Sequence, residues 1–280
     1  MKKSDRCSFG NLIFQKSKRK IDTIIIEKEY EFSLCLCLCC CWQLPEVETT
    51  RQLLEECALN KTIVKVEAVE DTLLFEGQRQ SEVVTSLLHQ KIVKTGRHGK
   101  VVWLEMKKKP HVSFHLGMTG RIVVSGKPVT FYYRFPATKC DEWPPKYYKL
   151  LLTLNDGTKI AFTDPRRFGR IRIHKINPKQ DKPVTGLGYD PLHGMCDLKT
   201  FCSLLETRAC SVADLFRPLL FYFIFFFMFL KGALLDQSFI AGVGNWIADE
   251  VCYQSGIHPC VKCNALTQMQ MQRLFHAIQQ

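Results

Sequence analysis

The sequence predicts an α+β chain: an N-terminal antiparallel β-sandwich with a leading helix, then a helical domain. Three observations predict it. Short runs from Thr62 to His174 alternate apolar and polar residues, the period that puts one face of a strand in a core. Asn155-Asp156-Gly157 separates two such runs, as a tight hairpin requires. After about residue 186 the alternation gives way to helical spacing closed by glycine and proline.

The elements follow in order. Leu44-Pro45-Glu46-Val47-Glu48 opens a helix, because Pro45 suits a first helical position and Glu46 and Glu48 favour the positive end. Val47, Thr50, Leu54 and Cys57 share one face, and Asn60 closes it. Strands are predicted over Thr62–Val69, Val101–Met106, Val112–Leu116, Arg121–Val124, Tyr148–Leu154, Thr158–Thr163 and Arg170–His174. Helices are predicted over Leu198–Arg208, Ala233–Gln237, Trp246–Ser255, which Gly256 and Pro259 end, and Thr267–Gln279.

Apolar residues make up 46% and charged residues 24% of the 280, which excludes a disordered chain, a collagen and a simple coiled coil. The net charge of +12 predicts an anionic partner, nucleic acid before a membrane surface. Met1–Lys20 is basic and polar rather than apolar; of the 14 cysteines six lie in the first 41 residues and the other eight are scattered. No cleavable signal is read there, and the thiols are expected to be reduced. Cys260-Val261-Lys262-Cys263 is a lone CxxC, expected to be ordinary thiols with no metal.

Two segments do not match their surroundings. Residues 1–43 contain a basic run at Lys16–Lys20 and a cysteine/leucine alternation at Ser33–Trp42. They are read as an atypical leader outside the fold, with a buried strand or an acylated anchor as alternatives. Leu219–Leu230 is twelve apolar residues in a row. Both runs are too short to span a bilayer, so no membrane partner is expected.

Three stretches could carry chemistry. In His115-Leu116-Gly117-Met118-Thr119-Gly120 two glycines present Met118 from a tight loop; a core methionine beside a turn fits equally well. Asp164-Pro165-Arg166-Arg167-Phe168-Gly169 displays two arginines and an aromatic, suited to phosphates and to wedging between bases. The alternative is a solvated basic turn with Phe168 packed inward. Gly242-Val243-Gly244-Asn245 leads into a helix whose free N–H groups favour a phosphate. There Asn245 either caps the helix or reaches that phosphate; a plain capped helix is the alternative. Lys94, Arg97, His98, Lys100, Lys107, Lys108 and Lys109 form a basic stretch, usually a solvated face. Lys100 stands apart, because it precedes Val101-Val102-Trp103-Leu104 and is placed for partial burial.

Taken together, LPEVE at 44–48, GRHGK at 96–100, HLGMTG at 115–120, DPRRFG at 164–169 and DQSFIAGVGNWIADE at 236–250 resemble the formamidopyrimidine-DNA glycosylase family, with wording similar to its plant members. The resemblance runs in order from Leu44 to Gln280, apart from the Phe-rich segment. It implies an enzyme of base excision repair that flips oxidised purines such as 8-oxoguanine, or formamidopyrimidines, out of duplex DNA. Such an enzyme releases the base through a Schiff base and then cuts the strand as an AP lyase. By position, Lys100 resembles the family's catalytic lysine and Glu46 the carboxylate near its amino terminus. Met118, Arg166 and Phe168 match residues that fill the gap left by the flipped base, and Arg167 and Asn245 match phosphate contacts. The 236–250 stretch resembles the start of the helix–two-turn–helix element. The implied partner is double-stranded DNA with oxidised bases or abasic sites, bound by a monomer in the nucleus without a cofactor.

The sequence also departs from that pattern. The family begins Met-Pro-Glu-Leu-Pro-Glu, and the proline amine is the nucleophile. Here those two positions hold Trp42 and Gln43. A peptide nitrogen is not nucleophilic and a glutamine cannot transfer a proton as Glu does. The expected organisation is a leader at 1–43, a catalytic β-sandwich at 44–186 and a helix–two-turn–helix domain at 187–280. That last domain is expected to be interrupted by an insertion at 212–231 and to stop before the family's β-hairpin finger. The leader, the insertion and the abrupt end resemble a faulty gene model or a pseudogene product, and a non-catalytic DNA-binding relative is the alternative function.

Overall fold

The computed structural model describes residues 44–127, 143–210 and 229–280. The leader, Trp42 and Gln43, and all of the expected insertion except its last residues lie outside them. Helix α1 (Leu44–Ala58) buries Leu44, Val47, Thr50, Leu54, Cys57 and Ala58, the face expected from their spacing. The chain leaves it through Asn60 at φ +65°, a left-handed conformation that asparagine tolerates.

Among the described residues eight strands follow: β1 (Ile63–Ala68), β2 (Ile92–His98), β3 (Val101–Met106), β4 (His111–His115), β5 (Arg121–Val124), β6 (Tyr148–Leu154), β7 (Lys159–Thr163) and β8 (Arg170–His174). They build two antiparallel sheets in the orders β1-β6-β7-β5 and β2-β3-β4-β8. One core fills the space between them, with Val47 and Leu54 from α1, Ile63 and Leu152 from one sheet, and Leu104 and Phe114 from the other. Each such side chain contributes roughly 1.5–3 kcal/mol on burial. Asn155-Asp156-Gly157 joins β6 to β7, with Gly157 at φ +87° and Leu154 N–H donating to the Thr158 carbonyl at 2.9 Å.

Two elements were not expected from the sequence. Strand β2 turns the polar Thr95 and Arg97 inward after Ile92, so it lacks the apolar alternation of a strand; it also has a register shift between Ile92 and Lys94 against β3. Helix α2 (Gln80–Leu87) buries only Val83 and Leu87 and has no side-chain cap, so it lacks both helix signals.

The remaining helices are α3 (Leu198–Cys210), α4 (Leu230–Leu235), α5 (Asn245–Ser255) and α6 (Gln268–Gln279). They enclose a second core around Phe201, Leu234, Phe239, Val251, Leu274 and Phe275. Helix α4 begins and ends earlier than expected, because Asp236 accepts the Ser238 N–H at 2.9 Å and turns the chain. Its first residue, Leu230, is fully buried and donates its N–H to the Val261 carbonyl. The end of the Phe-rich run is therefore part of this core. Helix α5 stops at Gly256, φ +65°, and α6 starts with a Thr267/Gln270 capping box. Among the described residues no helix is long and apolar enough to cross a membrane.

Candidate functional site

Lys100 stands at the start of β3, half-buried, and its Nζ donates to the Val243 carbonyl at 3.0 Å. Gly99, at φ +53°, makes that approach possible: a Cβ there would sit 2.9 Å from the Ala241 side chain. Gly242 does the same for the leading helix, since the Leu44 side chain fills the space a Cβ would need. The start of α1, Lys100 and the Gly242–Gly244 turn thus meet at one place. Gln237 holds the turn, donating to the Val243 carbonyl at 2.8 Å and accepting the Gly242 N–H at 3.0 Å. Glu46 is half-buried in the first turn of α1.

Asn245 does not cap α5. Gly244 occupies the cap position, and Asn245 is the first helical residue, half-buried.

Lys94, Lys107, Lys108 and Lys109 are exposed, as a solvated basic face requires, but Arg97 is not part of that face. Its side chain is completely buried. It is bidentate to Asp190 at 2.5 and 3.1 Å, and its Nε meets Glu48 at 2.8 Å. Burial raises the Glu48 pKa, but hydrogen bonds from Arg51, Arg97 and His193 outweigh it and bring the carboxyl down to about 2. Arg97 and Asp190 were missed because a buried charge pair has no signature in a basic stretch; only the apolar neighbours of β3 hint at it.

The other predicted residues sit in two loops at the same end of the sheet. In the ladder Val101 pairs with His115, and His115 with Arg170. Lys100 and both loops therefore lie near one edge. Asp164, fully buried, accepts the Thr119 hydroxyl at 2.6 Å and the Gly169 N–H at 2.6 Å. Gly117, at φ +61°, lies so close to the second loop that a Cβ would be 2.6 Å from the Phe168 carbonyl. Met118 is half-buried beside it. Phe168 is 51% exposed, which overturns its packing inward, and the Arg166 guanidinium lies 5.6 Å from its ring. Arg167 pairs with buried Asp71 at 2.8 and 2.9 Å while its side chain stays 47% exposed. Burial raises the Asp71 pKa, but Arg167 and Lys149 outweigh it and hold the carboxyl well below the usual range. Burial, reinforced by Arg172, Lys100 and Arg170, pushes His115 down to about 4, so its ring is neutral at neutral pH.

The site therefore offers a cation at Lys100, a helix start at α5 without a side-chain cap, and an exposed aromatic with flanking arginines. These suit a phosphate chain and a stack of bases. Among the described residues no group of three or more His, Cys, Asp or Glu is placed to hold a metal ion. Cys260 is exposed and Cys263 buried, its thiol raised to about 11 by burial.

Residues 43–171 match the family model of the formamidopyrimidine-DNA glycosylase N-terminal domain, and 228–280 match that family's H2TH domain. The formamidopyrimidine-DNA glycosylase of Arabidopsis thaliana is 37% identical over 238 residues, 85% of this chain and 56% of that protein. The chain thus spans little more than half of that relative. The enzyme of the same name from Ligilactobacillus salivarius is 30% identical over 83% of this chain and 72% of its own length. Among solved structures, MutM (Fpg) of Thermus thermophilus superposes with a TM-score of 0.64 at 26% identity, covering 85% of this chain and 73% of that one. A complex of Lactococcus lactis Fpg with abasic-site DNA gives 0.66 at 24% identity, covering 85% and 75%, a likeness of fold.

Proposed function

The chain belongs to the formamidopyrimidine-DNA glycosylase family, and from that premise we propose a DNA glycosylase/AP lyase scaffold of base excision repair whose base-excising step is impaired. Its substrate is duplex DNA carrying oxidised purines or abasic sites, bound by a monomer, and its site of action is the nucleus. The observation that carries the reading is the meeting of Leu44, Gly242 and Lys100. It puts the start of α1, where the family keeps its nucleophile, beside the lysine and the phosphate-type helix start.

In this reading Lys100 serves as proton donor near the flipped sugar, and Glu46, in the first turn of α1, is the carboxylate near the amino terminus in the family's pattern. Met118, Arg166 and Phe168 fill the emptied stack, while Arg167 and Asn245 take phosphates. The division near residue 186 is supported by two large cores, one on each side of it, and in this reading the DNA lies between the two domains. The Lactococcus lactis relative bound to abasic DNA supports the substrate class.

Trp42 and Gln43 stand where Pro and Glu are needed. A peptide nitrogen does not attack C1′, so base release fails while binding survives. The same two residues favour a second reading, a relative that binds damaged DNA without catalysis. Gel-shift titration of a duplex with one tetrahydrofuran site against its undamaged counterpart tests the common part. Tighter binding of the damaged duplex is expected; equal binding would overturn both readings.

A further inference from the structure

Arg97 and Asp190 are joined to both partners of the Lys100–Val243 contact. On one side, Asp190 accepts the Gly99 N–H at 2.7 Å and Arg97 donates to the Gly99 carbonyl at 3.1 Å. The residue just before Lys100 is thereby clamped at both polar groups. On the other side, residues 188–190 run beside 237–241. Gly188 N–H donates to the Gln237 carbonyl at 2.8 Å, Tyr189 N–H to that of Phe239 at 3.0 Å, and Ala241 N–H to that of Tyr189 at 2.8 Å. Two residues later comes Val243, whose carbonyl takes Lys100. Glu48 ties α1 to the same guanidinium.

A buried ion pair is weak as a source of stability, because desolvation offsets most of its attraction. Its geometry is nonetheless rigid: Arg97 spends its donors on Asp190, Glu48 and Gly99, and Asp190 also takes the Leu192 N–H at 3.0 Å. A lysine side chain is flexible, and a site on such a residue needs its backbone fixed to better than an ångström.

We propose that Arg97 and Asp190 are positioning residues for Lys100: the pair sets where its ammonium stands relative to the Val243 carbonyl and the start of α1. This rests on the functional reading above in giving Lys100 a role toward DNA. The placement itself can be measured without DNA.

The test is site-resolved acetylation of the full chain with acetic anhydride, read by peptide mass, in the parent and in Asp190→Asn and Arg97→Lys. Each substitution keeps near-parental size. Lys61, paired with Asp156 on the surface at 2.5 Å, is the internal control. In both variants Lys100 should label about fivefold faster, the change expected when one ordinary hydrogen bond is lost, with Lys61 unchanged. Unchanged Lys100 labelling in folded variants would overturn the proposal. All lysines rising together in both variants would overturn it too, since the pair would then hold the fold rather than Lys100. A second arm adds a tetrahydrofuran-containing duplex to the parent. Protection of Lys100 supports the functional reading, and its absence sinks that reading while the labelling result on the pair stands.

Discussion

The Thr119 hydroxyl donates to the Asp164 carboxylate at 2.6 Å, and both side chains are buried. One carboxylate thereby joins the loop bearing Met118 to the loop bearing Arg166 and Phe168, and it also takes the Gly169 N–H. Asp164→Ala leaves a hydroxyl and two amides, of Gly169 and Arg166, without their acceptor. The expected cost is about 2–4 kcal/mol in urea unfolding, together with weaker binding of damaged duplex. Asp164→Asn should cost less, since one acceptor oxygen is kept.

Gly117→Ala puts a methyl against the Phe168 carbonyl at a residue with φ +61°. About 1–3 kcal/mol of destabilisation is expected, and Phe168 must move, so binding of a tetrahydrofuran duplex should weaken. Gly126→Ala is the contrast. It shares a positive φ of +74° but meets nothing within 4 Å, so calorimetry should show backbone strain alone and gel shifts no change in binding.

Much of the fold was legible because short apolar-rich runs are set apart by turn residues. Arg121–Val124, Tyr148–Leu154 and Arg170–His174 have the limits expected of them, although the first two are mostly buried rather than alternating. Strand β2 was not legible, since after Ile92 its inward residues are the polar Thr95 and Arg97. The loops of the site were readable from their glycines, which mark positive φ at Gly117 and Gly242. Their joining through Asp164 and the burial of Arg97 depend on contacts between residues 45 and 93 positions apart. No local pattern encodes those.

Acid should unfold the protein in two limbs. His115 sits near 4 folded against 6.5 unfolded. Its folded form binds the proton less, so stability is full above about pH 6.5 and falls toward pH 4. Glu48 sits near 2 folded against 4.5 unfolded, so its contribution is present above pH 4.5 and lost toward pH 2. Urea midpoints measured against pH should lose the first limb in His115→Gln and show a smaller second limb in Glu48→Gln, with Asp71 carrying part of what remains.

DNA affinity should fall steeply with salt. Arg166→Ala and Phe168→Ala should separate two kinds of contact. If Arg166 neutralises a phosphate, its loss reduces the log–log salt slope by about 1. Loss of the exposed Phe168 ring should reduce the preference for a damaged site and leave the slope unchanged, as fluorescence anisotropy across a salt series would show.

The central claim is a competent repair scaffold whose excising amine is missing at Trp42-Gln43. Borohydride trapping on a duplex with 8-oxoguanine opposite cytosine tests it most directly. The 280-residue chain is compared with a variant that starts at position 42 and carries Trp42→Pro and Gln43→Glu. A covalent adduct is expected from the variant and none from the chain. An adduct from the chain itself, abolished by Lys100→Ala, would contradict it by making Lys100 the nucleophile; no adduct from either would contradict the competence of the scaffold.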